Sequence, residues 1–75
     1  MEELKPTEKQ VYDYIVKFIN EHGYSPTFRE IGKGIFLSST QTIYANMRKL
    51  EQKGYVKYEA HKPRTIVILK EYENV

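Results

Sequence analysis

Seventy-five residues support one hydrophobic core and exclude a second domain. Cys is absent, which removes disulfides, thiolate metal sites and a cysteine nucleophile, while 40% apolar and 29% charged residues make an ordinary globular balance. The net charge of +2 divides unevenly: residues 1–23 carry three Lys against four Glu and one Asp (−2), whereas residues 27–64 carry eight Lys or Arg against Glu30, Glu51 and Glu59 (+5), as expected if one face meets a polyanion.

Thr7-Glu8-Lys9-Gln10 has the Thr-x-x-Gln spacing of a capping box, in which each side chain satisfies the other residue's free backbone N–H, and predicts a helix from about Glu8. Val11, Tyr14, Ile15, Phe18 and Ile19 then recur on one stripe of a 3.6-residue helix. Gly23, able to adopt positive φ beyond the last turn, ends it. Tyr24-Ser25-Pro26 reads as a turn, because Pro26 biases Ser25 toward extended conformations. Thr27-Phe28-Arg29-Glu30 repeats the capping-box spacing and predicts a short second helix from about Phe28 to Gly34, burying Phe28, Ile31 and Ile35. Gly32 and Gly34 each weaken such a helix by about 1 kcal/mol relative to Ala, so packing has to hold it.

Phe36-Leu37-Ser38-Ser39 is the next break, with Ser39 the expected cap of a third helix from about Thr40 to Lys53, closed by Gly54. Its inward stripe is Ile43, Met47 and Leu50; the opposite side presents Gln41, Thr42, Ala45, Arg48, Lys49 and Gln52. Tyr55 to Glu59 alternates like a half-buried strand, Ala60 to Arg64 forms a basic tip, and Thr65 to Leu69 returns as a second strand. The charged segment Lys70 to Val75 is expected to fray.

Three helices followed by a two-stranded hairpin make an α+β winged helix-turn-helix, one domain over residues 1–75. Such folds place the amino-terminal part of the recognition helix, here Ser39 to Ala45, in the major groove. Gln41 can donate and accept at once, matching adenine N6 and N7; Thr42 offers a hydroxyl and a methyl; Ala45 allows close approach to a thymine methyl. Tyr44 stands at the flank, within reach of a phosphate or a base. Arg48, Lys49 and Lys53 extend the face with charge that phosphates can use, although an ordinary solvated helix face has the same residue types.

Three blocks also resemble the amino-terminal DNA-binding domain of the LexA repressor family: Gly23 to Ile31 with its Gly-Tyr-x-Pro-Thr-x-Arg-Glu-Ile pattern, Leu50 to Val56, and Arg64-Thr65-Ile66. The resemblance covers roughly residues 4–69. It implies that Ser39, Gln41, Thr42, Tyr44 and Ala45 contact bases, that Thr27 and Arg29 approach phosphate, and that Lys62 and Arg64 lie in a wing against the DNA backbone. The family usually has Gly at the turn before the recognition helix where this sequence has Phe36, so an altered turn or helix angle is expected. The family's carboxy-terminal domain, which supplies self-cleavage by a Ser/Lys pair and most of the dimerisation, has no counterpart in these residues. An excised domain or a stand-alone relative is therefore expected, monomeric at low concentration and pairing as a homodimer on a two-half-site operator.

Other chemistries find little support. His22 and His61 lie in different elements with no partner at ligand spacing, and no Ser–His pair is placed to make a nucleophile, so neither a metal site nor an enzyme is expected. No cofactor or small-molecule ligand is expected either. Gly32-Lys33-Gly34 lacks the context of a phosphate loop and reads as close helix packing. Seven Tyr raise the prospect of base stacking, but Tyr14, Tyr24 and Tyr55 sit where core or rim packing explains them. The longest apolar run, Ile66 to Leu69, is far short of the roughly 20 residues of a membrane helix, and Met1-Glu2-Glu3 is acidic where a signal peptide is basic. A soluble, cytoplasmic protein without a membrane partner is expected. The favoured function is sequence-specific binding of double-stranded DNA as a transcriptional repressor or regulator. The alternative is a protein-interaction module that binds another regulator, for which an apolar patch and a neutral recognition face are expected.

Overall fold

In the computed structural model, which describes residues 3–71, helix α1 spans Pro6–His22 and begins two residues before the predicted start. Pro6 takes the first helical position, where its missing N–H costs nothing and its fixed φ suits the helix. Lys5 is the cap, and its backbone N–H donates to Glu8 Oε1 at 3.0 Å. The capping carboxylate is thus Glu8, and the expected Thr7–Gln10 pair lies inside the helix instead. Gly23 ends α1 as predicted, at φ 80°, its N–H donating to the Ile19 carbonyl at 2.8 Å.

Val11, Ile15 and Phe18 are buried on the predicted stripe, with Tyr14 and Ile19 packed at its edge. Tyr12, outside that stripe, is buried too: its hydroxyl donates to the Lys70 carbonyl at 2.8 Å and its ring meets Tyr55 edge-on at 5.7 Å. Lys70, assigned to the tail on sequence, is held at a second point by its ammonium, 4.5 Å above the Tyr55 ring. Residues 72–75 of that tail lie outside the described residues.

Helix α2 occupies Phe28–Gly34, and its capping box forms as expected: the Glu30 N–H donates to Thr27 Oγ1 at 3.1 Å and the Thr27 N–H to Glu30 Oε1 at 2.9 Å. The two glycines let it pack closely. A Cβ at Gly34 would stand 2.0 Å from the Tyr14 ring, and one at Gly32 would stand 2.9 Å from the Leu37 carbonyl oxygen.

Helix α3 spans Thr40–Gln52, with the Thr42 N–H donating to Ser39 Oγ at 3.4 Å. Ile43, Met47 and Leu50 are buried, joined by Asn46, whose amide donates to the Thr42 carbonyl at 2.7 Å. Helices α2 and α3 end in the same way. Leu37 N–H donates to Gly32 O and Phe36 N–H to Lys33 O, just as Tyr55 N–H donates to Leu50 O and Gly54 N–H to Glu51 O. This is the Schellman motif, which asks for a left-handed residue just past the helix. Gly54 supplies it at φ 82°, but Phe36 supplies it at φ 62°. The turn therefore closes in the geometry that glycine ordinarily provides, and the Phe36 backbone carries the strain. Its side chain is 93% exposed, so no packing offsets that cost. Phe36→Gly is expected to raise stability by about 0.5–1 kcal/mol, the relief of left-handed strain less the entropy of a freer unfolded chain. Urea unfolding measures it, and an unchanged or lowered midpoint would remove the strain argument.

Strands β1 (Val56–Lys57) and β2 (Val67–Ile68) pair antiparallel, Val56 opposite Ile68 and Lys57 opposite Val67. They are shorter than the predicted runs because side-chain bonds take over towards the tip. The Glu59 N–H donates to Thr65 Oγ1 at 2.9 Å, and the same hydroxyl points at the Glu59 and Lys62 carbonyls. His61 and Arg64, both at positive φ, turn the chain between them. Val11, Ile15, Ile31, Ile43, Met47, Leu50, Tyr55, Val56 and Ile66 form one core where the three helices meet the hairpin base. Among the described residues no helix is long and apolar enough to cross a membrane.

Candidate nucleic-acid interface

The inward stripe of α3 fixes which residues face out. Ser39, Gln41, Ala45, Arg48 and Lys49 are exposed, and Thr42 is half-buried. Tyr44 stays 49% exposed while its ring meets Phe28 of α2 edge-on at 4.7 Å. The residues singled out for base contact therefore share the outer side of one helix, held by Ile43, Met47 and Leu50 beneath it.

Thr27, at the start of α2, is half-buried with its hydroxyl engaged in the helix cap. Arg29, Arg48 and Lys49 are exposed and carry no ion pair among the described residues. Lys62 at the wing tip is exposed, and its contact with Glu59 is long at 3.7 Å. A surface pair of that kind contributes little and is easily exchanged for a phosphate.

Two expected phosphate contacts are committed elsewhere. Lys53 turns back to the start of α1, where its ammonium donates to Glu8 Oε1 at 2.6 Å and to the Glu3 carbonyl at 2.9 Å. Its side chain is only 13% exposed and that of Glu8 only 5%, so this is a buried ion pair. Burial opposes ionisation of Glu8, but the hydrogen bonds from Lys53 and from the Lys5 N–H, with their charges, outweigh it and hold the carboxyl below the usual range. Arg64 is the other. Its guanidinium forks onto Glu30 Oε1 and Oε2 at 3.0 and 3.2 Å, donates to the Ser25 carbonyl at 3.0 Å, and lies 4.8 Å from the Tyr24 ring centre. The Thr27 N–H and this guanidinium keep the Glu30 carboxyl below its usual range, so the Arg64 charge is neutralised within the fold.

That brace explains why two distant sequence blocks belong together. Ser25 and Glu30 come from Gly23–Ile31, Arg64 and Ile66 from the return arm of the wing, and the Ile66 N–H donates to Ser25 Oγ at 3.3 Å. Sequence reasoning passed over two cations on the other hand. Lys33 and Lys57 are exposed and carry no ion pair among the described residues. Lys33 lies one turn from Arg29 on α2, an i, i+4 spacing that was available to read, and both line the groove beside Ser39 and Thr40. Lys57 alternates outward between the buried Val56 and half-buried Tyr58. No group of His, Cys, Asp and Glu among the described residues could hold a metal ion.

Residues 1–65 match the LexA DNA-binding domain. The chain belongs to the LexA DNA-binding domain family. The family is a DNA-binding one, not a catalytic one. Among its relatives, the LexA repressor of Staphylococcus epidermidis is 41% identical over 71 residues, covering 95% of this chain and 34% of the relative. That of Pelotomaculum thermopropionicum is 46% identical over 68 residues, covering 91% and 34%, and that of Clostridium novyi 48% identical over 62 residues, covering 83% and 30%. The chain thus spans about a third of the length of the LexA repressors it matches. Within this LexA domain, the three elements that surround the candidate face are the ones joined by the Ser25–Glu30–Arg64 brace and by the Phe28–Tyr44 ring contact.

Proposed function

We propose that the chain binds double-stranded DNA sequence-specifically as a LexA-like transcriptional repressor or regulator in the cytoplasm, with the first turns of α3 in the major groove and the wing on the sugar-phosphate backbone. The observation that carries this reading is the exposed side of α3 in a LexA-family domain, where Gln41 and Ala45 stand with Arg48 and Lys49, which carry no ion pair among the described residues, while Arg29 and Lys33 line the groove beside Ser39, Thr40 and Tyr44. Ser39, Gln41, Thr42, Tyr44 and Ala45 meet bases. Thr27, Arg29, Lys33, Arg48, Lys49, Lys57 and Lys62 meet phosphates. Two copies pair on DNA over two half-sites, since helix-turn-helix domains place their recognition helices about one helical turn apart. A protein-interaction module would need an apolar patch on this face, whereas of the exposed large hydrophobic side chains only Tyr44 stands on α3; Tyr24 lies before α2, Phe36 in the α2–α3 turn, Val67 in β2 and Leu69 just past it.

Replacing Gln41 tests the reading element directly. A bidentate contact to adenine gives about 1–3 kcal/mol of discrimination, so Gln41→Ala should lose that amount at one base position with little change on non-specific DNA. Lys62→Ala should instead weaken binding to all sequences alike, because a phosphate contact carries no sequence information. The quantity to measure is the ratio of specific to non-specific affinity in one buffer. If Gln41→Ala keeps the full wild-type ratio, α3 is not the reading element.

A further inference from the structure

The wing and helix α3 are joined by a chain of three aromatic rings. Phe28, the first residue of α2, meets Tyr44 of α3 at 4.7 Å with the ring planes 70° apart, and meets Tyr58, just past β1, at 5.4 Å and 69°. The three rings line a cleft of about 190 Å³ whose other wall is the wing tip, Glu59 to Thr65. Phe28 and Tyr58 are half-buried, while half of Tyr44 remains open to solvent. Burial, and then the Glu51 carboxylate, lift the Tyr58 hydroxyl above its usual range against the opposing charge of Arg48, with Tyr44 adding to the rise. Tyr44, Arg48 and Glu51 follow at i, i+4 and i+7, so Tyr58 stands against one side of α3, at the edge of the face proposed to read bases.

We propose that Phe28 and Tyr58 are positioning residues that fix the orientation of Tyr44, so that the wing sets the base preference of α3 at the position Tyr44 reads without itself touching a base. The inference rests on the proposed contact of Tyr44 with DNA. An exposed tyrosine on a helix samples more than one staggered χ1 well. Edge-on ring pairs are directional, so Phe28 selects one of those wells, and Tyr58 holds Phe28 from the other side. Freezing the side chain before binding removes an ordering cost at the interface and narrows the set of bases it can accept.

The test is quantitative selection from a random duplex library, using the whole chain, for wild type, Tyr44→Ala, Tyr58→Leu, Tyr58→Phe and the Tyr44→Ala/Tyr58→Leu double variant. Tyr44→Ala is expected to erase the preference at one base position. Tyr58→Leu is expected to reduce the preference at that same position by about three- to ten-fold, the range of one lost ring pair, while non-specific affinity stays within about two-fold. Tyr58→Phe keeps the ring and restores the preference. In the Tyr44→Ala background, Tyr58→Leu changes nothing further at that position. Phe28→Leu breaks the same chain at its middle and serves if Tyr58→Leu folds poorly by circular dichroism. A uniform loss on every sequence from Tyr58→Leu, or a preference change that survives without Tyr44, would overturn the inference. Should Tyr44→Ala change the preference while Tyr58→Leu and Phe28→Leu do not, only this inference falls. Should Tyr44→Ala leave every preference intact, the assignment of Tyr44 to base contact falls with it.

Discussion

Lys53→Met is expected to destabilise the fold by about 3–5 kcal/mol, the cost of leaving one partner of a buried ion pair uncompensated. Small domains have roughly 5–15 kcal/mol in hand, so the variant should melt well below the wild type. Met keeps most of the methylene packing, which isolates the charge: what is lost is the 2.6 Å contact with Glu8 and the bond to the Glu3 carbonyl, which together pin the end of α3 to the start of α1. The effect also has a sign in pH. In the wild type the Glu8 carboxyl titrates below the value near 4.5 of an unfolded glutamate, so its stabilisation is fully present above that value and is lost as pH falls through the lower folded one. Without Lys53, only the Lys5 N–H and the Lys5 charge still oppose burial, so the folded value rises from its wild-type position. The variant should then lose less stability than wild type as pH falls through the acidic range. Thermal melts from pH 3 to pH 7 on both proteins measure this, and parallel curves would contradict a charge-bearing contact.

The affinity for one duplex should fall steeply with salt. Eight basic residues between Arg29 and Arg64 suggest five or six phosphate contacts on sequence grounds, and a log–log slope near −5 at roughly −0.9 per contact. Lys53 and Arg64 are committed to Glu8 and Glu30, which leaves Arg29, Lys33, Arg48, Lys49, Lys57 and Lys62. If four of these engage at once, the slope per copy is about −4, close to a four-decade loss over a tenfold rise in salt. Lys62→Ala should flatten it by about one unit. Anisotropy titrations between low and moderate salt report both numbers, and a flat line would remove the electrostatic footprint on which DNA binding depends.

Elements whose signals are local were readable in the sequence. Thr27 and Glu30 stand three apart and satisfy each other's backbone, so α2 forms over the predicted span; Ser39 and Gly54 bracket α3 in the same way. The cap of α1 is itself local, with Pro6 at the first helical position and Glu8 three residues past Lys5, but Lys is not a usual cap residue; what no local spacing displays is the second partner of Glu8, Lys53, 45 residues away. The same limit explains Arg64, whose fork onto Glu30 crosses 34 residues, and Tyr12, whose ring meets Tyr55 and whose hydroxyl donates to the Lys70 carbonyl 58 residues away. Phe36 is a different case. A left-handed position occupied by a bulky residue runs against every turn preference, and only the hydrogen bonds to Gly32 and Lys33 show that the turn closes all the same. The base-reading candidates on α3 follow from the helical period alone, whereas the cations around them had to be sorted by their partners, which the charge count could not supply.

Selection from a random duplex library tests the central claim most directly. A LexA-family domain that reads DNA through α3 should enrich a short motif with fixed bases, bind it at least a thousandfold more tightly than scrambled duplex, as specific binders ordinarily do, and lose one fixed position on Gln41→Ala. A pool that shows no enrichment over its input after repeated rounds at moderate salt would contradict the account.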